Sequence, residues 1–108
     1  MEPMQKRDPL RWKSPESQRL RWVRLAEGFT DSGGSARFAA KVKIGRTAYS
    51  QYENGVRLSL DAIIKVTNRV PGLTTDYLIL GNEEGMSLDL RRRIEAARMT
   101  EEAEGLRQ

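Results

Sequence analysis

Between Ser35 and Gly55 two short helical patterns follow each other. One runs roughly from Ala36 to Lys43, the other from Gly45 or Arg46 to Asn54, and Lys43-Ile44-Gly45 makes the turn between them. Helices this short are marginal in water by themselves, so the pair must form one packed unit. In the first, Phe38, Ala39 and Val42 make an apolar stripe, and Ser35 or Gly34 is placed to cap it. Ala39 suits a point where two helices approach closely. Arg37 and Lys41 point outward, where they are candidates to hold phosphates.

The second helix carries most of the information. Gly55 stops it, because glycine adopts the left-handed conformation without a Cβ clash. Ile44, Ala48, Tyr49, Tyr52 and Val56 fall on one side of the helical period. Arg46, Thr47, Ser50, Gln51 and Asn54 fall on the other, at i, i+1, i+4, i+5 and i+8. A polar face alone is ordinary in a surface helix. These residue types, however, also read base edges: Arg pairs with guanine, Gln with adenine, and Thr touches the thymine methyl. The free N–H groups at a helix start favour phosphate.

Composition narrows the choice of chemistry. The 108 residues contain neither Cys nor His, which removes the commonest metal ligands, the thiol nucleophile and the commonest general base. Neither a base–nucleophile spacing nor a glycine-rich phosphate loop stands out, so no enzyme, metal or cofactor is expected. At 38% hydrophobic and 31% charged, the chain suits one small domain with tails. The net charge is +4, and it is unevenly spread. Met1 to Arg57 carries twelve Lys or Arg against six Asp or Glu; from Leu58 onward the balance is seven against nine. The half with the paired helices is the basic one, as binding to a polyanion requires. No stretch is long or apolar enough to span a membrane and no signal-peptide core is seen, so the expected location is cytoplasmic.

The run F-A-A-K-V-K-I-G-R-T-A-Y-S-Q-Y-E-N-G resembles the helix-turn-helix of phage-repressor-like DNA-binding domains, the lambda repressor, Cro and XRE type. The matching features are Phe38-Ala39, Val42, Ile44, Arg46, Tyr49, Tyr52 and Glu53-Asn54-Gly55. The likeness continues through S-L-D-A-I-I-K-V and T-T-D-Y-L-I-L-G, from about Gln18 to Gly81. It implies an all-α fold: a compact five-helix DNA-binding domain over 14–81, a flexible basic arm over 1–13, and an extra C-terminal helix within 82–108. The recognition helix, about 46–54, would lie in the major groove of double-stranded DNA, with dimers on two half-sites about one turn apart. Carried over by position, Arg46, Thr47, Ser50 and Gln51 would read bases. Ser35, Arg37, Lys41, Lys43, Asn54 and Arg57 are the candidate phosphate contacts, and Arg24 with Glu53 a structural pair. The chain departs from the family pattern in four places. The connection from Gly28 to Gly34 is long. Gly34-Ser35 replaces the usual Thr-Gln or Ser-Gln. Lys43 stands where Gly is usual, and Leu58 where Pro is common.

The remaining elements follow from caps and periods. Ser14-Pro15-Glu16 opens a helix that runs to about Glu27, with Leu20, Val23 and Trp22 or Leu25 toward the core. Phe29 is tucked under the following loop. Ser59 caps a helix whose buried side is expected to be Leu60, Ile63, Ile64, Thr67 and Val70, ended by Pro71-Gly72. Thr74 or Thr75 caps a short helix in which Tyr77, Leu78 and Leu80 pack and Gly81 ends the run. Ser87 caps a last helix with a thin stripe, Leu90, Ile94 and Ala97. Two readings of that stripe stay open: contacts of a homodimer, or a tail leaning on its own domain. The functional expectation is a DNA-binding transcriptional regulator, a repressor acting as a homodimer on an inverted repeat. The alternative is an antitoxin-type protein whose C-terminal segment covers a protein partner while DNA binding serves autoregulation.

Overall fold

A computed structural model describes residues 14–106; the expected basic arm over 1–13 lies outside the described residues. The described residues form six helices and no strand. These are α1 (Pro15–Ala26), α2 (Gly34–Lys41), α3 (Arg46–Glu53), α4 (Leu60–Arg69), α5 (Thr75–Leu80) and α6 (Leu88–Leu106). Local chemistry accounts for most of their ends. The Ser14 hydroxyl accepts from the Ser17 amide at 3.1 Å and Pro15 occupies the first turn of α1. Ser59 and Thr74 cap α4 and α5 in the same way, and the Ser87 hydroxyl accepts from Leu90 N at 3.1 Å to open α6.

Helix α2 departs from expectation. It begins at Gly34, two residues early, and neither Gly34 nor Ser35 caps it; Gly33 stands at the cap position with no side-chain bond. A Cβ on Gly34 would lie 2.6 Å from the Phe29 carbonyl oxygen, so only glycine lets the long α1–α2 loop close this tightly. That loop lays Phe29 edge-on against Phe38, with ring centroids 5.4 Å apart, and Phe38 meets Tyr49 at 5.7 Å.

Leu20, Val23, Phe38, Ala39, Val42, Tyr49, Val66 and Leu78 form the centre of the core. On α4 the buried row is Ala62, Ile63, Val66 and Val70, which corrects the expected stripe. Leu60 is 70% exposed and Ile64 is also outside, because at 100° per residue they lie roughly 120° from the centre of that row. Val56 and Leu80 were also expected to pack, and both are exposed.

On α6 the structure bears on the two readings left open. Leu90 and Ile94, candidate dimer contacts in one of them, are 0% and 4% exposed and belong to the domain's own core together with Met86, as the reading of a segment leaning on its own domain expects. They are therefore closed to a second copy, while Ala97 is half-buried over a cleft against Leu25 and Ala26 of α1. The i, i+4 spacing was right, but α1 already provides the apolar surface that covers it. Polar contacts lock the same contact: Arg93 donates to the Ala26 carbonyl at 3.0 Å and to Glu27 at 2.9 Å, and Trp22 Nε1 donates to Glu101 at 2.9 Å. Among the described residues no helix is long and apolar enough to cross a membrane.

Candidate nucleic-acid interface

Helix α3 is fixed on one side and open on the other. Its inner side holds the buried Tyr49 and Glu53 and the half-buried Ala48 and Tyr52. Glu53, the last residue of the helix, is gripped by α1. Arg24 Nε donates to one carboxylate oxygen at 2.7 Å and Nη2 to the other at 3.1 Å, a two-pronged contact that fixes direction as well as distance. Arg24 Nη1 also donates to the Phe29 carbonyl at 2.7 Å, and the Tyr49 hydroxyl donates to Glu53 at 2.5 Å. Burial, and then the Glu53 charge, push the Tyr49 hydroxyl well above its ordinary value, so it stays a neutral donor. For Arg24 burial works against the charge, but the Glu53 hydrogen bond and charge override it and the pKa rises. A second tie comes from Ser17, whose hydroxyl donates to the Tyr52 carbonyl at 2.5 Å.

The loop leaving α3 is held similarly. Leu58 is buried, and its N–H donates to the buried Glu16 carboxylate at 3.4 Å. A proline there would have no N–H to give, which explains why this chain departs from the common pattern. Lys43, in the α2–α3 turn, sits at φ +64, a conformation that suits glycine better.

The outer face of α3 presents Arg46, Thr47, Ser50, Gln51 and Asn54, all exposed. The Asn54 amide donates back to the Ser50 carbonyl at 2.7 Å, so those two are engaged with each other. Arg46, Thr47 and Gln51 make no side-chain hydrogen bond or ion pair among the described residues. The candidate phosphate contacts divide the same way. Arg37 pairs with Asp31, and Lys41 stands 3.7 Å from Glu27. Lys43 and Arg57 are exposed and carry no ion pair among the described residues. Ser35 is half-buried at the start of α2.

A polar groove of about 300 Å³ runs beside the end of α3 and brings Ser35, Ser50 and Asn54 together with Ser32, Glu53 and Arg21. Arg21 was counted in the sequence only as a basic residue of the first helix. The available signal was its spacing three residues before Arg24, which puts both on one side of α1.

A family model described as helix-turn-helix matches residues 20–78, more than half of the chain. The chain belongs to that family. The matched span opens within α1 and closes within α5, so it contains the α2–α3 unit, the part of α1 from Leu20 on, and α4. Neither the curated proteins nor the solved structures gave a match. Membership of this lambda-repressor-like helix-turn-helix family makes the protein a DNA-binding transcription regulator. Among the described residues no group of three or more acidic side chains is gathered as a metal site.

Proposed function

We propose that this helix-turn-helix regulator is a sequence-specific repressor that binds an inverted-repeat operator as a homodimer. The observation that carries the reading is the contrast across α3, one side pinned through Glu53 and the other offering Arg46, Thr47 and Gln51 with no internal partner among the described residues. Arg46 and Gln51 are long enough for two-pronged contacts to base edges, and Thr47 and Ser50 complete the face. Ser35, Arg37, Lys41, Lys43, Asn54 and Arg57 frame it as phosphate contacts that set the register. Arg37 and Lys41 must then exchange internal carboxylates for phosphate oxygens.

With Leu90 and Ile94 inside the domain, the homodimer needs another surface. The apolar side chains left outside on α4 and α5 support that role: Leu60 and Ile64 on the first, Ile79 and Leu80 on the second. The testing experiment is selection of bound duplexes from a random pool at near-physiological salt. An inverted repeat with half-sites about one helical turn apart is the expected product. Recovery of no motif, with binding that vanishes as salt rises, would overturn sequence-specific reading in favour of backbone binding alone.

A further inference from the structure

Arg21 stands between two hollows of the molecule and lines both. On one side it lines the polar groove with Ser35, Ser50 and Asn54, at the edge of the proposed DNA face. On the other it lines the cleft between α1 and α6, a space of about 420 Å³ floored by Leu25, Ala26 and Ala97. Its Nε donates to Glu101 of α6, while Nη1 lies 4.0 Å from Glu53 at the end of α3. Glu101 is not free to swing away, because its other oxygen accepts from Trp22 Nε1 at 2.9 Å. The Arg21 side chain is 39% exposed, so it is held without being sealed off.

We infer that Arg21 is a DNA-backbone contact whose strength is set by the C-terminal helix: Glu101 of α6 and a DNA phosphate compete for one guanidinium. The inference rests on the α3 face lying against DNA. The groove's own carboxylates do not block a phosphate, since Asp31 is paired with Arg37 and Glu53 with Arg24. Beside Arg21 and the Glu53-bound Arg24, its remaining lining is the hydroxyls of Ser32, Ser35 and Ser50 and the Asn54 amide, groups that hydrogen-bond phosphate oxygens. A guanidinium suits the exchange because its planar fork meets carboxylate and phosphate with the same geometry. Helix α6 thereby acts as an internal competitor, and anything that shifts Glu101 retunes DNA affinity without touching α3.

The test is a salt titration of binding to a random-sequence duplex, which responds to backbone contacts whether or not an operator exists. Glu101→Gln is expected to tighten binding roughly two- to fivefold, the range of an exposed ion pair. Arg21→Gln is expected to weaken binding and to lower the slope of log affinity against log salt by about 0.9, the share of one phosphate. Added to Arg21→Gln, the Glu101 change is expected to do nothing. Glu102→Gln removes an equal charge from the neighbouring residue, which pairs with Arg98, and controls for net charge. Equal gains from Glu101→Gln and Glu102→Gln would overturn the competition, as would an unchanged slope in Arg21→Gln. Should loss of Glu101 unseat α6, the Arg21→Gln slope decides. Arg57→Gln, a change at a proposed phosphate contact of the same face, is measured alongside and reports on the underlying reading: its response with no response at Arg21 or Glu101 sinks the competition alone, and silence at all three sinks the face.

Discussion

Helices α3 and α6 both bury apolar side chains in the same core, and both pack on α1. Their polar faces differ. On α6, Arg91 faces Glu83 at 3.6 Å, Arg93 contacts both Asp89 and Glu27, and Arg98 holds Glu95 and Glu102; of its arginines in the described residues Arg92 alone is exposed without an ion pair. On α3, Arg46, Thr47 and Gln51 have no such partners among the described residues, although the helix beneath them is the more tightly fixed. A face with its charges answered internally needs only water. A face held rigid and left unanswered is arranged for something from outside. That distinction separates two amphipathic helices that look alike in sequence.

The most damaging way to break the comparison is in the core of α6. Leu90→Ala is expected to cost about 3 to 5 kcal/mol in denaturant unfolding, because the site is fully enclosed and relaxes little. A loss under about 1 kcal/mol would mean that α6 does not belong to the domain. Next comes the anchor of α3. Arg24→Ala leaves the Glu53 carboxylate near-buried with the Tyr49 hydroxyl and the more distant Arg21, 4.0 Å away, and is expected to cost about 3 kcal/mol of stability. DNA affinity should fall further than stability accounts for, since α3, proposed to read the bases, loses its aim.

Arg46→Ala and Arg91→Ala together sharpen the comparison. Each removes one exposed guanidinium, but only one comes from the unanswered face. Arg46→Ala is expected to leave the melting temperature unchanged, weaken the selected operator by about 1 to 3 kcal/mol and relax preference at one base pair. Arg91→Ala is expected to change stability by less than about 1 kcal/mol and DNA binding not at all. Uniform weakening across all sequences by Arg46→Ala would assign that side chain to phosphate.

Much of the fold was legible because its signals are local. The Ser14-Pro15 start of α1, the Ser59 and Ser87 caps and the left-handed Gly81 all follow from short-range chemistry. The exposure of Arg46, Thr47, Ser50 and Gln51 follows from helical period alone. What failed was relational. The expected α4 stripe took in Leu60 and Ile64, which are exposed, and passed over Ala62 and Val66, which are buried; the rotation of the row depends on what the helix packs against, and a small side chain such as Ala62 carries little weight in a hydrophobic pattern. The Leu90–Ile94 stripe could not say which surface covers it, since that depends on where α6 lands on α1. The Arg24–Glu53 contact came only with the family resemblance, and the position of Arg21 needs α1, α3 and α6 together.

The smallest expected effect isolates function from folding within the turn that joins α2 to α3. Lys43 is exposed at φ +64, where a side chain with Cβ is disfavoured and glycine is not. Its left-handed turn closes α2, with the Lys43 N–H donating to the Ala40 carbonyl at 3.2 Å and the Ile44 N–H to the Ala39 carbonyl at 3.0 Å, while its side chain forms no ion pair among the described residues. Glycine would close the helix equally well, so the exposed ammonium is the part of Lys43 that a DNA phosphate would use. Lys43→Gly is therefore expected to stabilise the domain by about 0.5 to 1 kcal/mol in denaturant unfolding, through relief at that φ. The same change is expected to weaken DNA binding and lower its salt slope by about 0.9, the loss of one phosphate contact. Stability and binding then move in opposite directions from one side chain. If both rise, Lys43 contributes nothing to the interface, and the unanswered surface shrinks to α3 itself with Arg57 beyond it.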